Sequence, residues 1–378
     1  MTAKLSLAII GAGMGGLASA AALQRVGIDV TIYEQARQFR RLGAGIQIGC
    51  NAMQVLRRLG LEPRLRAEAF YPRSWNNRVW NSGEEKFDMV FGASAEAKFG
   101  APYLLAHRGD LHAALADIVP AERIRLNHRL VGLDETAEGI RLTFADGSKR
   151  TVDAVIGADG VHSTVKVILF GESAPNFTGR VAYRTTYAAR LLSGHEPDEC
   201  TKWWGEDRHI VIYYVKPDRS EVYFVTSQPE PEFRVESWST KGDLTALRAA
   251  YEGFHPQVQA VLKACPEVHK WALVDRDPLE RWTDGRVTLL GDACHPMMPY
   301  MAQGAAMAME DAAVLSRCLA DVDREGIAGA FRRFETSRKE RTSRVQLTSR
   351  GNAWLKDKTD ADWVYGYNAW TVPLASQP

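Results

Sequence analysis

The run Gly11-Ala12-Gly13-Met14-Gly15-Gly16 constrains this chain more than any other. It falls between an apolar, β-prone stretch, Leu5 to Ile10, and a buried-helix pattern, Leu17 to Val26. A second β-prone stretch, Asp29 to Tyr33, ends at Glu34. The pattern predicts one βαβ unit with a right-handed crossover. Each glycine then has its own duty: Gly11 permits a tight turn, Gly13 lets backbone approach a pyrophosphate, and Gly16 lets helix pack on strand. The start of the helix offers free N–H groups to the phosphates. Glu34 is placed to accept hydrogen bonds from ribose hydroxyls, and Gln35 beside it joins the same cofactor set. The motif predicts a dinucleotide without separating FAD from NAD, because both carry an ADP half.

Buried strands recur much later, at Val152 to Ile156 before Gly157 and at Val287 to Leu290 before Gly291. A parallel sheet is therefore expected from sequence-distant pieces, with other material inserted between them. Between about 180 and 230 the pattern alternates and is rich in aromatics: Thr201 to Trp204, His209 to Val215, Val222 to Thr226. Turn chemistry at Lys216-Pro217-Asp218 separates two of these runs. This predicts an antiparallel sheet with one covered and one solvated face. Helical periodicity returns from Gln303 to Ala320 and from Ile327 past Arg344. The tail, with Trp354, Trp363, Tyr365, Tyr367 and Trp370, is too aromatic to be left unpacked. The fold class expected is α/β with α+β character: a Rossmann-like βαβ domain, an inserted antiparallel-sheet domain and C-terminal helices. The boundaries expected are 1–72, 103–175 and 275–320 for the cofactor domain, 73–102 and 176–274 for the substrate domain, and 321–378 for a helical, aromatic C-terminal segment.

Forty-seven basic against 46 acidic residues leave a net charge of +1 with no long charge run, which argues against nucleic acid or an anionic membrane as partner. No apolar stretch approaches the ~20 residues of a membrane span. The five cysteines are scattered, without a CxxC pair, so neither a disulfide framework nor a zinc cluster is indicated. No other metal-ligand set appears. The first residues lack a signal peptide's features. A cytoplasmic protein, monomer or homodimer, is the expectation.

Three further segments carry a resemblance: His107-Arg108-Gly109-Asp110-Leu111, Gly157-Ala158-Asp159-Gly160, and Gly291-Asp292-Ala293-Cys294-His295-Pro296. With the glycine motif in this order, the whole chain resembles the group A flavoprotein monooxygenases, the family of p-hydroxybenzoate and salicylate hydroxylases. The resemblance implies bound FAD, NADH as electron donor, and a small aromatic carboxylic acid and O2 as the other reactants. It implies ring hydroxylation by a flavin C4a-hydroperoxide. Asp159 then serves FAD and the nicotinamide, and Asp292 the ribityl chain and pyrophosphate. Arg108 contacts FAD, while Arg41, Ala44 and Gly45 lie near the flavin, as does the loop Ala302-Gln303-Gly304. Two positions depart from the family pattern. Lys166 stands where the Asp-Gly segment usually ends in arginine, and Ala302 stands where the flavin loop usually has glycine.

Strand alternation places His209, Val211 and Tyr213 on one face, with Tyr223 across from them on the next strand. A histidine and two tyrosines there would make a base, a proton relay and a hydrogen-bond set. The segments Cys200 to His209, Met301 to Gly304 and Asp362 to Tyr367 resemble the branch of the family that hydroxylates 6-hydroxynicotinate to 2,5-dihydroxypyridine with loss of CO2. That closer resemblance implies His209 and Tyr213 as catalytic residues. It implies Gln47, Cys200, Tyr223, Tyr300 and Pro296 as substrate neighbours. Gln47 and Tyr300 stand where that branch carries histidines, so two cationic partners for a carboxylate are missing. Other readings are hydroxylation of 6-hydroxypicolinate, salicylate or a hydroxybenzoate, a flavin reductase without ring hydroxylation, and a plain nicotinamide dehydrogenase.

Overall fold

The computed structural model describes residues 5–41, 44–235 and 240–376. Leu7 to Ile10 are buried because parallel neighbours flank their strand on both sides, Asp29–Tyr33 on one and Ala154–Gly157 on the other. Each large apolar side chain so enclosed contributes roughly 1.5–3 kcal/mol. The six-stranded sheet runs Thr283–Asp284, Val287–Leu289, Ala154–Gly157, Ser6–Ile10, Asp29–Tyr33, Ile124–Arg125. Only its Thr283–Asp284 edge pairs antiparallel. The crossover helix, Met14–Arg25, packs on this sheet and against a second buried helix, Gly304–Leu319. One boundary differs from expectation. Val152 ends a separate antiparallel strand, Lys149–Val152, and the parallel strand starts only at Ala154. Between them, Asp153 accepts from the Ser6 backbone N–H at 2.9 Å.

The inserted material forms a seven-stranded sheet, ordered His269–Asp275, Asn176–Ala188, Glu221–Pro229, His209–Tyr214, Cys200–Trp204, Ser74–Val79, Glu85–Val90. Its Lys216–Arg219 turn lies where the sequence places it, closed by the Arg219 N–H to the Lys216 carbonyl. Two expectations are corrected. The sheet is mixed, since Ser74–Val79 runs parallel to Cys200–Trp204. Nor is one face solvated, because every residue of Cys200–Trp204 and His209–Tyr214 is buried. The segment with helices Leu244–Ala250 and Pro256–Ala264 covers the outer face. Trp203 stacks on His255 there, and the Tyr251 hydroxyl donates to the His209 carbonyl. A strand buried on both sides loses its apolar–polar alternation, which is why these runs look continuously apolar.

A two-stranded ribbon, Gly45–Ile48 with Leu104–His107, lies against the inner face of the large sheet. The aromatic tail docks as the composition predicts. Tyr365 is buried against Phe91, Phe99, Tyr103 and Trp354. From the long helix Ile327–Arg350, Arg341 donates to the carbonyls of Trp363 and Val364 and lies over the Tyr367 ring.

Candidate active site

The glycine loop is built as its spacing requires. Gly11 has φ +103° and lies so close to Ala158 and Asp159 that a Cβ would sit 2.5 Å from the Ala158 carbonyl oxygen. A Cβ on Gly16 would strike the Gly11 carbonyl oxygen at 2.0 Å, whereas one on Gly13 would meet nothing within 4 Å. Gly13 is the N-cap of a helix with no capping side chain and no acid in its first turn, so its N–H groups remain available to an anion. Glu34 holds this loop by accepting the Ala12 N–H at 2.7 Å and the Ala36 N–H at 2.8 Å. Gln35 is exposed beside it. This open cradle of backbone amides, edged by a carboxylate, fits the ADP half of a dinucleotide.

A second cradle forms where the Gly-Asp segment meets the loop before the Gly304–Leu319 helix. Asp292 is solvent-accessible deep within the protein, and burial pushes its carboxyl upward, with His295 and Arg108 partly offsetting this. Its Oδ1 lies 3.8 Å from where a Cβ on Gly304 would sit. It occupies a three-residue turn, Gly291–Ala293, and not the N-cap of a helix. Ala302 adopts φ +54°, ψ +34°, the left-handed region, which explains the family's preference for glycine there. Gln303 follows as the N-cap of a second helix without a capping side chain. Arg108 is exposed in the same region and enters no ion pair among the described residues.

Behind these loops lies a buried charge network. Asn51 donates to Gln303 at 2.9 Å and to Glu310 at 2.6 Å. Arg338 bridges Glu310 at 2.8 Å and Asp311 at 2.7 Å, all three wholly buried. Asp311 also holds the Gly291 N–H at 3.1 Å and His295 at 2.6 Å. Burial opposes the Asp311 charge, but His295 and Arg338 hold its carboxyl below the ordinary range. One guanidinium thus fixes both loops.

The inner face of the large sheet closes the site. Cys200, Tyr213 and Tyr223 stand in register on three adjacent strands, as do Trp204, His209 and Ser227. The Tyr213 and Tyr223 rings lie 4.9 Å apart, so close to the ribbon that a Cβ on Gly45 would sit 2.5 Å from Tyr223 and 2.7 Å from the Tyr213 hydroxyl. Tyr300 packs edge-on to His209 at 5.4 Å and shares a hydrogen bond with Ser227 at 2.9 Å. Gln47 accepts from Tyr103 at 2.6 Å, leaving its NH2 to donate. Burial, then Lys202 and Arg180, drive the His209 imidazole well below its usual range, so it is neutral. Burial drives the Tyr213 phenol well up and that of Tyr223 up to about 12, with Arg184 partly offsetting the latter. Both therefore stay hydrogen-bond donors.

A family profile described as "FAD binding domain" matches residues 4–349. The chain is 47% identical to 6-hydroxynicotinate 3-monooxygenase of Bordetella bronchiseptica, over 99% of this chain and 98% of that protein. The enzyme of the same name from Pseudomonas fluorescens is 41% identical, over 99% and 98%. The chain belongs to this family of FAD-dependent monooxygenases. Among solved structures, a salicylate hydroxylase substrate complex superposes with a TM-score of 0.83 at 26% identity, covering 97% of this chain and 96% of that one.

In this flavin monooxygenase the two cradles adjoin where Gly15 lies against Leu290 and Ala308, and the inner face meets the second cradle's loop where His209 packs on Tyr300. The sequence-predicted residues divide between them. Ala44 is buried, and its carbonyl accepts the Arg108 N–H at 2.8 Å. Pro296 is half-buried after the Gly-Asp turn, and its carbonyl accepts from Gln346 at 2.8 Å. Two residues are committed elsewhere in this structure. The Arg41 guanidinium is bound to Asp110 at 2.7 Å and Glu221 at 2.9 Å. The Asp159 carboxylate accepts from Ser163 at 2.5 Å and from the Val165 N–H at 3.1 Å, bonds that start the Thr164–Phe170 helix. Lys166 lies in that helix, and its ammonium donates to Ser173.

Sequence reasoning missed three side chains on the inner face. Lys202 is 1% exposed, with its ammonium 3.7 Å from the centre of the Trp204 ring. Such a desolvated cation–π contact is worth about 2 kcal/mol, less than the several that burying an ammonium costs. Arg184 lies over Trp271 at 4.4 Å, and Arg180 donates to Ser227 at 3.0 Å. Period-two counting from Cys200 would have found Lys202. The two arginines come from a strand whose mixed pattern gave no signal.

Proposed function

We propose that this enzyme hydroxylates 6-hydroxynicotinate to 2,5-dihydroxypyridine with loss of CO2, taking electrons from NADH in the cytoplasm. The observation that carries this reading is the in-register set Cys200, His209, Tyr213 and Tyr223 facing the Gln303 loop, in a chain 47% identical to a 6-hydroxynicotinate 3-monooxygenase. Bound FAD supplies the reduction of O2 and an electrophilic oxygen. One oxygen atom enters the ring at the carbon that loses its carboxyl group, and the other leaves as water. The ring needs electron density at that carbon, so its hydroxyl must give up a proton as the bond forms. The neutral His209 imidazole takes that proton, and the Tyr213 and Tyr223 hydroxyls orient the ring oxygen and nitrogen by hydrogen bonds. Cys200, whose thiol burial keeps protonated, packs beside them. The buried walls keep water from the activated oxygen. Gly11, Gly13, Gly16, Glu34, Arg108, Asp292, Gln303 and Gly304 hold FAD in this reading. The sheet of 73–102 with 176–274 forms the substrate-binding part.

The test is NADH oxidation by the FAD-loaded enzyme with 6-hydroxynicotinate, 6-hydroxypicolinate, salicylate and 4-hydroxybenzoate, with products identified by chromatography and mass. Formation of 2,5-dihydroxypyridine from 6-hydroxynicotinate is expected. Turnover of another ring alone moves the substrate, and NADH use indifferent to every ring overturns ring hydroxylation.

A further inference from the structure

We propose that Lys202 is the specificity residue that receives the carboxylate of the aromatic substrate. The inference rests on the reading of the site given above. Lys202 occupies the inner face between Cys200 and Trp204, opposite Val211 on the next strand, so it shares a face with His209 and Tyr213. It is 1% exposed, its ammonium lies 3.7 Å from the Trp204 ring centre and 6.0 Å from that of Tyr300, and no carboxylate forms an ion pair with it among the described residues. The other charges around this end of the face do not compensate it. Arg180 is a second cation, Lys356 approaches the Trp204 ring from 5.8 Å, and Asp207 is paired with Arg208.

Burial alone drives the Lys202 amine well below its usual range, so it keeps its proton, and its charge, only when a ligand brings the opposite charge. A carboxylated ring brings it. The indole of Trp204 and the phenol of Tyr300 stand beside the ammonium to receive the aromatic ring. Lys202 thereby supplies the positive charge that neither Gln47 nor Tyr300 can provide.

Ligand binding to the FAD-loaded enzyme is read from the perturbed flavin spectrum, using matched rings with and without the carboxylate. Lys202→Met is expected to raise the Kd of 6-hydroxynicotinate at least about 30-fold. The Kd of 2-hydroxypyridine should change less than about threefold. Equal changes for both rings, or none for the acid, overturn the proposal. Should Lys202→Met fail to load FAD, the unaltered enzyme decides. It should bind 6-hydroxynicotinamide, the neutral isostere, about 30-fold more weakly than the acid, and equal affinities overturn the proposal. Salicylate and phenol, run in parallel, separate this inference from the substrate assignment. Salicylate binding lost in Lys202→Met, with 6-hydroxynicotinate never bound, keeps Lys202 and sinks the substrate. Turnover of 6-hydroxynicotinate with a Kd indifferent to Lys202→Met does the reverse.

Discussion

The two halves of the site treat charge in opposite ways. On the cofactor side, Asp292 apart, the carboxylates are partnered within the protein: Glu34 holds two backbone N–H groups, and Glu310 and Asp311 share Arg338. On the substrate side Lys202 lies buried without an acid, and His209 is kept neutral by burial and nearby cations. The contrast follows from what each half must do. A tightly held cofactor calls for rigid loops, so the protein completes their hydrogen bonds itself. A transient ring must bring part of its own compensation, so that face is left electrostatically incomplete.

The sharpest way to break this comparison is Arg338→Ala. It takes one of two basic partners from each of two fully buried carboxylates, leaving Glu310 to Arg341 and Asp311 to His295, so a loss of about 2–3 kcal/mol in denaturant unfolding is expected, with lost FAD retention. A cost under about 1 kcal/mol would show that the network is not compensated by that guanidinium. On the other half, His209→Gln should lower oxygen transfer to the ring about 100-fold, more than it lowers flavin reduction, with little loss of stability. Stopped-flow traces with an unchanged oxygen-transfer phase would remove His209 from the proton path. Glu34→Ala should weaken FAD binding roughly tenfold while the fold persists, since two loop N–H groups lose their acceptor. Fluorescence titration of the apoprotein with FAD checks it, and an unaltered Kd would deny Glu34 that role. The smallest effect belongs to Ala302→Gly, which relieves a left-handed alanine and should raise stability by about 1 kcal/mol or less. A lowered denaturation midpoint would mean that the methyl group packs better than its backbone suggests.

Legibility in the sequence follows the same division. The glycine loop, Glu34 and the Gly-Asp segment are runs of consecutive residues whose backbone does the binding, so their order alone reveals them. The inner face is assembled by register across four strands, and alternation recovers His209, Tyr213 and Tyr223 only because the Lys216–Arg219 turn fixes one hairpin. Lys202 escaped because a lysine in a strand reads as an edge or solvent residue, and the Tyr300 loop that packs beside it on the inner face is distant in sequence. Glu310 and Asp311 escaped for a similar reason. Acids in a helix suggest water, and only the long helix packed alongside, bringing Arg338, makes them interior. The parallel pairing of Ser74–Val79 with Cys200–Trp204 joins segments more than 120 residues apart, with no local signal for it.

Gly45 carries a consequence for anyone redesigning this enzyme. Its missing side chain is where the ribbon and the tyrosine pair touch, with no room for even one added carbon. In the proposed reading, grip on the coenzyme and choice of ring are therefore geared together at that point and cannot be tuned separately there. Altered ring preference is better sought along 200–204, one strand further out, where a new side chain reshapes the chamber without shifting the gear.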